Sequence, residues 1–212
     1  ARMIRDFSYQ GDLTGGSLQV RESRVVADLL LQNASEADWQ QAILTDNRLQ
    51  KRSPATARRI AQALRKRLEL LEAPFWQALL NGDDELATQV ALCSALERNL
   101  LLVEFMETVV SDAYITQATT LDAWQWDDFL QDRAYRDPAI ADWTTSSKKK
   151  MGQVALRILA EAGYLKNTRS LQLQHVLIRP EVRTLLEDSY RHRILACLRI
   201  SSPRSDDTDT DA

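Results

Sequence analysis

Apolar positions along this chain recur at intervals of three and four residues, the period of an amphipathic helix, over most of its length. Between 54 and 72, Ile60, Ala61, Leu64, Leu68 and Leu71 form one stripe. Met151, Val154, Ala155, Ile158, Leu159 and Ala162 form another at i, i+3, i+4, i+7, i+8 and i+11. The same period predicts helices over 17–32, 36–46, 74–80, 121–135, 138–143 and 180–198. Residues 83–94 and 96–115 read as one long helix or two, apolar enough to form the centre of a bundle. Trp124, Trp126 and Phe129 are core candidates, whereas Glu97, Glu104, Glu107 and Asp112 read as solvated face charges.

Local signals set the boundaries. Ser17 can cap the first helix, and Ser35 with Asp38 resembles a capping box. Ser53 followed by Pro54 starts the next helix, and Asn81-Gly82 ends the short one after it. Gly163 closes the helix over 148–162, with 144–147 as its turn and cap. Two short β-capable runs, 171–173 and 176–178, flank Gln174-His175. Residues 7–16 read as an irregular lead-in.

Charge changes this picture most between Arg48 and Leu68. Arg48, Lys51, Arg52, Arg58, Arg59, Arg65, Lys66 and Arg67 lie there with no acid among them. At about 100° per residue, Arg58, Arg59, Arg65 and Lys66 share the face opposite the apolar stripe. Such a ridge suits a polyanion, above all a nucleic-acid backbone. The competing reading is a solvated helix whose arginines meet carboxylates elsewhere in the fold.

A second basic site lies on 148–162, where Lys149, Lys150, Gln153 and Arg157 oppose the apolar stripe. Hydroxyls and free backbone N–H groups at Thr145, Ser146 and Ser147 suit a phosphate. Short helix, tight turn, amphipathic helix and small hairpin is the order of a winged helix-turn-helix, whose second helix enters the major groove at its N-terminal end. Lys166 and Arg169 would then make wing contacts to the backbone. The same unit can instead serve protein contact, or simply close the helical bundle.

Composition bounds the rest. The 212 residues suggest one or two domains, and 44% hydrophobic residues suffice for a core. No apolar run approaches the roughly 18 residues of a membrane helix, and no secretory leader is visible, so a cytoplasmic protein is expected. Cys93 and Cys197 have no C-x-x-C partner and are expected as buried free thiols. The net charge of −3 argues against a polyanion partner at first sight. Its distribution weakens that objection. The Ser/Asp/Thr-rich end, 201–212, carries four aspartates against Arg204 and is expected to be disordered, and the remainder is neutral. Between Asp83 and Asp132 there are eleven acids and one base, Arg98, so the body is polarised.

Catalytic chemistry finds little support. His175 and His192 lack metal-ligand spacing with each other or with a cysteine. No P-loop, dinucleotide fingerprint or nucleophile elbow occurs, and Gly11 to Gly16 neither follows a strand nor precedes a Lys-Ser or Lys-Thr pair. Asp127, Asp128 and Asp132 can share a helix turn, as a metal-dependent nuclease needs, but acids so spaced are usually solvated. No cofactor, metal or small-molecule substrate is expected.

Several short motifs, taken in order, resemble the BrxA family of bacteriophage-exclusion (BREX) defence systems. They are Gly16-Ser17-Leu18, Glu22-Ser23, Asp38-Trp39, Asn47-Arg48-Leu49-Gln50, Arg52-Ser53, Ala57-Arg58-Arg59-Ile60 and Arg67-Leu68. Glu104-Phe105, Phe129, Ser147 with Lys148 and Lys150, and Ala162-Gly163-Tyr164-Leu165 continue the series, which spans 7–190. Where the family carries Arg-Thr, this chain has Arg52-Ser53, which keeps the hydroxyl. The resemblance implies a small all-helical protein that binds DNA and acts with other BREX components against phage.

The expectation is therefore a mainly α protein: a helical domain over 1–136, a winged helix-turn-helix-like unit with a short β-hairpin over 137–200, and an acidic tail over 201–212. Its expected function is non-enzymatic binding of double-stranded DNA. The candidate contacts are Arg48, Lys51, Arg52, Ser53, Arg58, Arg59, Arg65 and Lys66, then Ser147, Lys149, Lys150, Gln153, Arg157, Lys166 and Arg169. An interaction scaffold and an RNA-binding protein are the alternatives. Exposed aromatic platforms for stacking single strands are not expected.

Overall fold

A computed structural model describes residues 7–13 and 15–203. The acidic end from 204 onward lies outside the described residues. The fold is mainly helical, as the periodicity predicts.

Helix α1 (Val20–Leu31) starts later than its expected cap. Gln19 adopts a left-handed conformation (φ 47°), and Arg67 reaches the preceding carbonyls, donating to Gly16 O (3.0 Å) and Ser17 O (2.7 Å). A buried guanidinium thus holds the lead-in extended. The lead-in is irregular yet partly core, since Tyr9 and Leu13 are buried. Helix α2 (Glu36–Gln40) carries the Ser35–Asp38 capping box and widens into a π-turn over Gln41–Thr45. Helix α3 (Pro54–Leu68) starts at the Ser53 cap and stops one turn early, where the Trp76 indole donates to Leu68 O (2.8 Å). Helix α4 (Ala73–Asn81) ends at an extended Gly82.

Helix α5 (Asp84–Arg98) is buried on nearly every side from Leu86 to Leu96, and α1, α3 and α4 pack about it. The chain then breaks at Asn99, whose extended backbone (ψ 101°) and side-chain Oδ1 cap α6 (Leu100–Phe105) through Leu102 N–H (3.1 Å). A π-turn over Met106–Val110 and α7 (Ser111–Ile115) follow. The segments on either side of Asn99 differ in direction by 107°. Of the acids read as solvated, Glu104 is instead buried. It accepts from Tyr9 Oη (2.6 Å) and Arg136 (3.0 Å), with Arg133 beside it (3.4 Å). The pattern alone does not distinguish such an acid from a surface one, because its partners Arg136 and Tyr9 are 32 and 95 residues away.

The C-terminal part contains α8 (Trp124–Arg133), a 3-10 turn over Pro138–Asp142 and α9 (Thr145–Glu161). Trp126 and Phe129 are buried, but Trp124 stands 59% exposed. Thr144 caps α9 by accepting from Ser147 N–H (3.1 Å), so Thr145–Ser147 form its first turn rather than a preceding loop. The expected hairpin between 171–173 and 176–178 does not form. Among the described residues the β-pairing consists of isolated antiparallel bridges, Leu165 with Leu173 and Thr120 with Gln172. Residues 177–179 are held instead by the buried Gln89 amide, which donates to Leu177 O (3.0 Å) and accepts from Arg179 N–H (2.9 Å). The last expected helix is two, α10 (Pro180–Asp188) and α11 (His192–Leu198), separated by a left-handed Tyr190 (φ 58°). Both pack back on α5. Cys93 and Cys197 are buried free thiols.

Candidate nucleic-acid interface

The basic run of 48–67 divides according to what each side chain meets. Arg48 pairs with Asp28 (2.9 Å), and Lys51 pairs with Glu22 (2.8 Å). Burial pushes the Glu22 carboxyl up, but Lys51, a backbone N–H and Arg21 together hold the group below its ordinary value. Arg65 meets Glu36 (3.0 Å) and Glu69 (2.6 Å), and lies 4.4 Å over the Trp39 ring. These three are occupied within the fold. Arg67, in register with the apolar stripe, is buried against the lead-in carbonyls.

Arg52, Arg58 and Lys66 are exposed and form no ion pair among the described residues. Arg59 is also exposed, with one long bond to Gly15 O (3.4 Å). Ser53 uses its hydroxyl on Thr56, accepting from the backbone N–H (3.2 Å) and donating to Oγ1 (2.9 Å). Finer helical phase splits the ridge. Arg58 and Arg65 turn toward Trp39 on α2, whereas Arg59 and Lys66 turn the other way.

That second direction leads to α9. Arg59, Gln62 and Lys66 from α3, Asp12 and Gly15 from the lead-in, Arg98 and Asn99 from the break, and Lys150 from α9 line one cleft of about 440 Å³. Five basic side chains, Arg67 included, and a single acid line it. The acid, Asp12, is already engaged by Arg98 (2.8 and 3.0 Å) and Asn99 (3.3 Å). The cleft therefore presents an uncompensated positive field, which focuses on an anion entering between low-dielectric walls. Glu161 near the end of α9 fixes its approach to the lead-in by accepting from Leu18 N–H (2.9 Å).

The rest of the second basic site is exposed but spread. Lys149 and Gln153 line a different groove, toward α8. Arg157, one turn-pair beyond Lys150, is solvent-exposed. The Ser147 hydroxyl is engaged by Thr144 Oγ1 (2.8 Å). Lys166 and Arg169 stand exposed on the loop before Leu171. Arg98 and Asp12 were not among the residues anticipated for the site. Their pairing across 86 positions leaves no sequence signal. Arg67 did leave one: its phase puts it inside the apolar stripe. Among the described residues, no cluster of three His, Cys, Asp or Glu is placed to hold a metal ion. No single described helix is long and apolar enough to cross a membrane.

Fold and site together define a mainly helical protein with a cationic cleft between its N-terminal bundle and α9. The sequence model described as BrxA matches residues 8–189. A BREX protein BrxA of Paramagnetospirillum magneticum is 34% identical over 193 residues, covering 91% of this chain and 97% of the relative. A BREX protein BrxA of Escherichia coli O9:H4 is 35% identical over 182 residues, covering 86% and 85%. A crystal structure of an uncharacterized protein from Magnetospirillum magneticum superposes with a TM-score of 0.83 at 32% identity, covering 91% of this chain and 99% of the other. The chain belongs to the BrxA family.

Proposed function

We propose that this protein is a non-enzymatic, cytoplasmic component of a BREX phage-defence system that binds double-stranded DNA through its phosphate backbone. The observation that carries this reading is the shared cleft. Arg59 and Lys66, from the first basic site, and Lys150, from the second, line one cavity. Two patches more than eighty residues apart thus form one surface, as a single duplex would require. Arg52, Arg58, Arg157, Lys166 and Arg169 are further exposed cations outside the cleft that a longer duplex would have to reach.

A winged-helix arrangement of the C-terminal part fits this role. Leu121 N–H donates to Leu171 O (2.9 Å), Leu173 N–H to Thr119 O (2.9 Å), and Lys166 N–H to Gln172 O (2.9 Å). Three short extended segments therefore lie in the spatial order 119–121, 171–173, 164–166 beside the α8–α9 pair. In this reading α9 is the recognition helix, with Lys149 and Gln153 toward the bases and Lys150 toward a phosphate. The 166–170 loop is the wing.

Fluorescence anisotropy of a random-sequence duplex across a salt series tests the reading. Backbone binding gives a log–log slope of about −0.9 per phosphate engaged. Reversing Arg59, Lys66 and Lys150 together should flatten that slope by roughly three contacts while the thermal midpoint holds. A wild-type protein that fails to bind even at low salt would refute the reading.

A further inference from the structure

A larger groove, about 890 Å³, runs between α8 and α9 on the side away from the cationic cleft. Its floor is apolar, with Leu130 and Leu156 among its lining. Aromatic side chains stand open at both ends: Trp124 is 59% exposed and Tyr135 91%. Large exposed aromatics are uncommon on a surface that meets only water, and Trp and Tyr beside an apolar pocket are the residues that dominate protein–protein affinity.

Its rims carry opposite charge. Lys148 and Lys149 line the α9 wall, and Asp127 lines the α8 wall. None of the three forms an ion pair among the described residues. A phosphate strand laid here would meet Asp127 and, one residue on, Asp128. A second copy of this chain does not supply the occupant either. Its other large exposed apolar residues, such as Leu70, Ile115 and Leu177, sit on separate elements and form no described helical stripe.

We propose that this groove receives one amphipathic helix of a partner protein, with an acidic flank lying against Lys148 and Lys149. Its ten-residue α8 wall is about 15 Å long, which matches about three turns of a bound helix. The inference does not rest on DNA binding, but Lys149 and Gln153 line this groove and also face the bases in the proposed duplex contact, so the two ligands compete for them.

Two synthetic helical peptides of about fourteen residues provide the probes. They share a leucine stripe; one carries glutamates along its flanks and the other lysines. Titration is followed by the fluorescence anisotropy of a dye attached to the peptide, a readout that survives replacement of Trp124. The glutamate peptide should bind at least about tenfold more tightly, and Lys148→Glu with Lys149→Glu should invert that order. Trp124→Ala with Tyr135→Ala, both exposed and so neutral for folding, should weaken binding by about tenfold or more. Arg59→Glu with Lys66→Glu should leave peptide affinity unchanged, which separates this inference from the DNA reading. No binding by either peptide, or a preference unmoved by the lysine reversals, would overturn it. So would displacement of the glutamate peptide by a short single-stranded oligonucleotide, or self-association that Trp124→Ala abolishes.

Discussion

The Trp126 ring occupies the space where a β-carbon on residue 152 would stand. From Gly152, an added methyl would meet Trp126 Cδ1 at 2.6 Å and Cγ at 2.9 Å. The same indole donates from Nε1 to Lys148 O (3.1 Å), one turn back on α9. One tryptophan thereby sets both the distance and the rotation between α8 and α9.

Gly152→Ala should therefore destabilise the protein, although alanine favours a helix interior by up to about 1 kcal/mol. Overpacking of a closed contact costs about 1–3 kcal/mol. The expected net loss lowers the thermal midpoint by roughly 2–4 °C per kcal/mol. A Gly152→Ala protein as stable as the parent would show that the helices separate freely.

Glu104 should prove the least replaceable acid of the fold. It is buried, and Arg133, Arg136 and Tyr9 converge on it. Glu104→Ala removes the carboxylate common to all three, for an expected loss of about 2–4 kcal/mol, discounted because Arg136 is half exposed. Tyr9→Phe deletes the bond to Glu104 (2.6 Å) and a long one accepted from Arg136 (3.4 Å), and should cost about 1–2 kcal/mol. Urea unfolding of both variants checks the order.

The two thiols should resist modification in the native state. Burial pushes Cys93 and Cys197 each up to about 12, so the thiolate is scarce at neutral pH. A chromogenic disulfide reagent should report no rapid thiols in native protein and two after denaturation. Prompt native labelling would reveal frequent opening around α11.

Acid should weaken the fold through carboxylates held below their ordinary values. The Arg179 guanidinium, then Leu86 N–H, lower Asp83 from its ordinary 3.8. The Ser35 backbone and hydroxyl lower Asp38, and Arg191 lowers Glu72. Each group binds protons more readily unfolded than folded. Its contribution is thus present above the unfolded value and is lost as pH falls through the lower native one. Asp83→Asn should flatten stability against pH below about 4 relative to the parent.

Arg65 and Lys66 should separate stability from binding. Arg65 is tied to two carboxylates and a tryptophan face, whereas Lys66 faces the cleft free of ion pairs among the described residues. Arg65→Ala should lower the thermal midpoint while leaving the DNA salt slope nearly intact. Lys66→Ala should lower that slope by about one contact at an unchanged midpoint.

Much of the helical layout was legible because the 3.6-residue period, the Ser53-Pro54 start and the Ser35–Asp38 box are local signals. The α10–α11 split and the late start of α1 were not, since the Tyr190 turn and the Arg67 clamp depend on tertiary contacts. Likewise the sequence displayed both cationic stretches but not their shared cleft, which depends on α9 docking beside the lead-in. It also ran Arg48, Lys51 and Arg65 together with Arg59 and Lys66, because acids as distant as Asp28 and Glu36 carry no mark of their partners. Trp124 looked like core by its size and aromatic character alone: at about 100° per residue it stands roughly 160° from Trp126 and 140° from Phe129, on the opposite side of α8, where it is left uncovered.

The corner at Asn99 has a consequence for how hydropathy describes this chain. A sliding window is blind to direction, and the apolar segments on the two sides of Asn99 together meet the length and composition of a membrane span. One side-chain oxygen accepting from Leu102 N–H turns that continuous stretch through a right angle and more. Its apolar surface is then shared between α1, α3, α4, α10 and α11 on the α5 arm and, on the other, α8, whose Trp126 and Phe129 meet Phe105. Replacing Asn99 by a residue without that oxygen removes the cap of α6, at a cost of about 0.5–2 kcal/mol, and so weakens the corner that keeps the two arms apart.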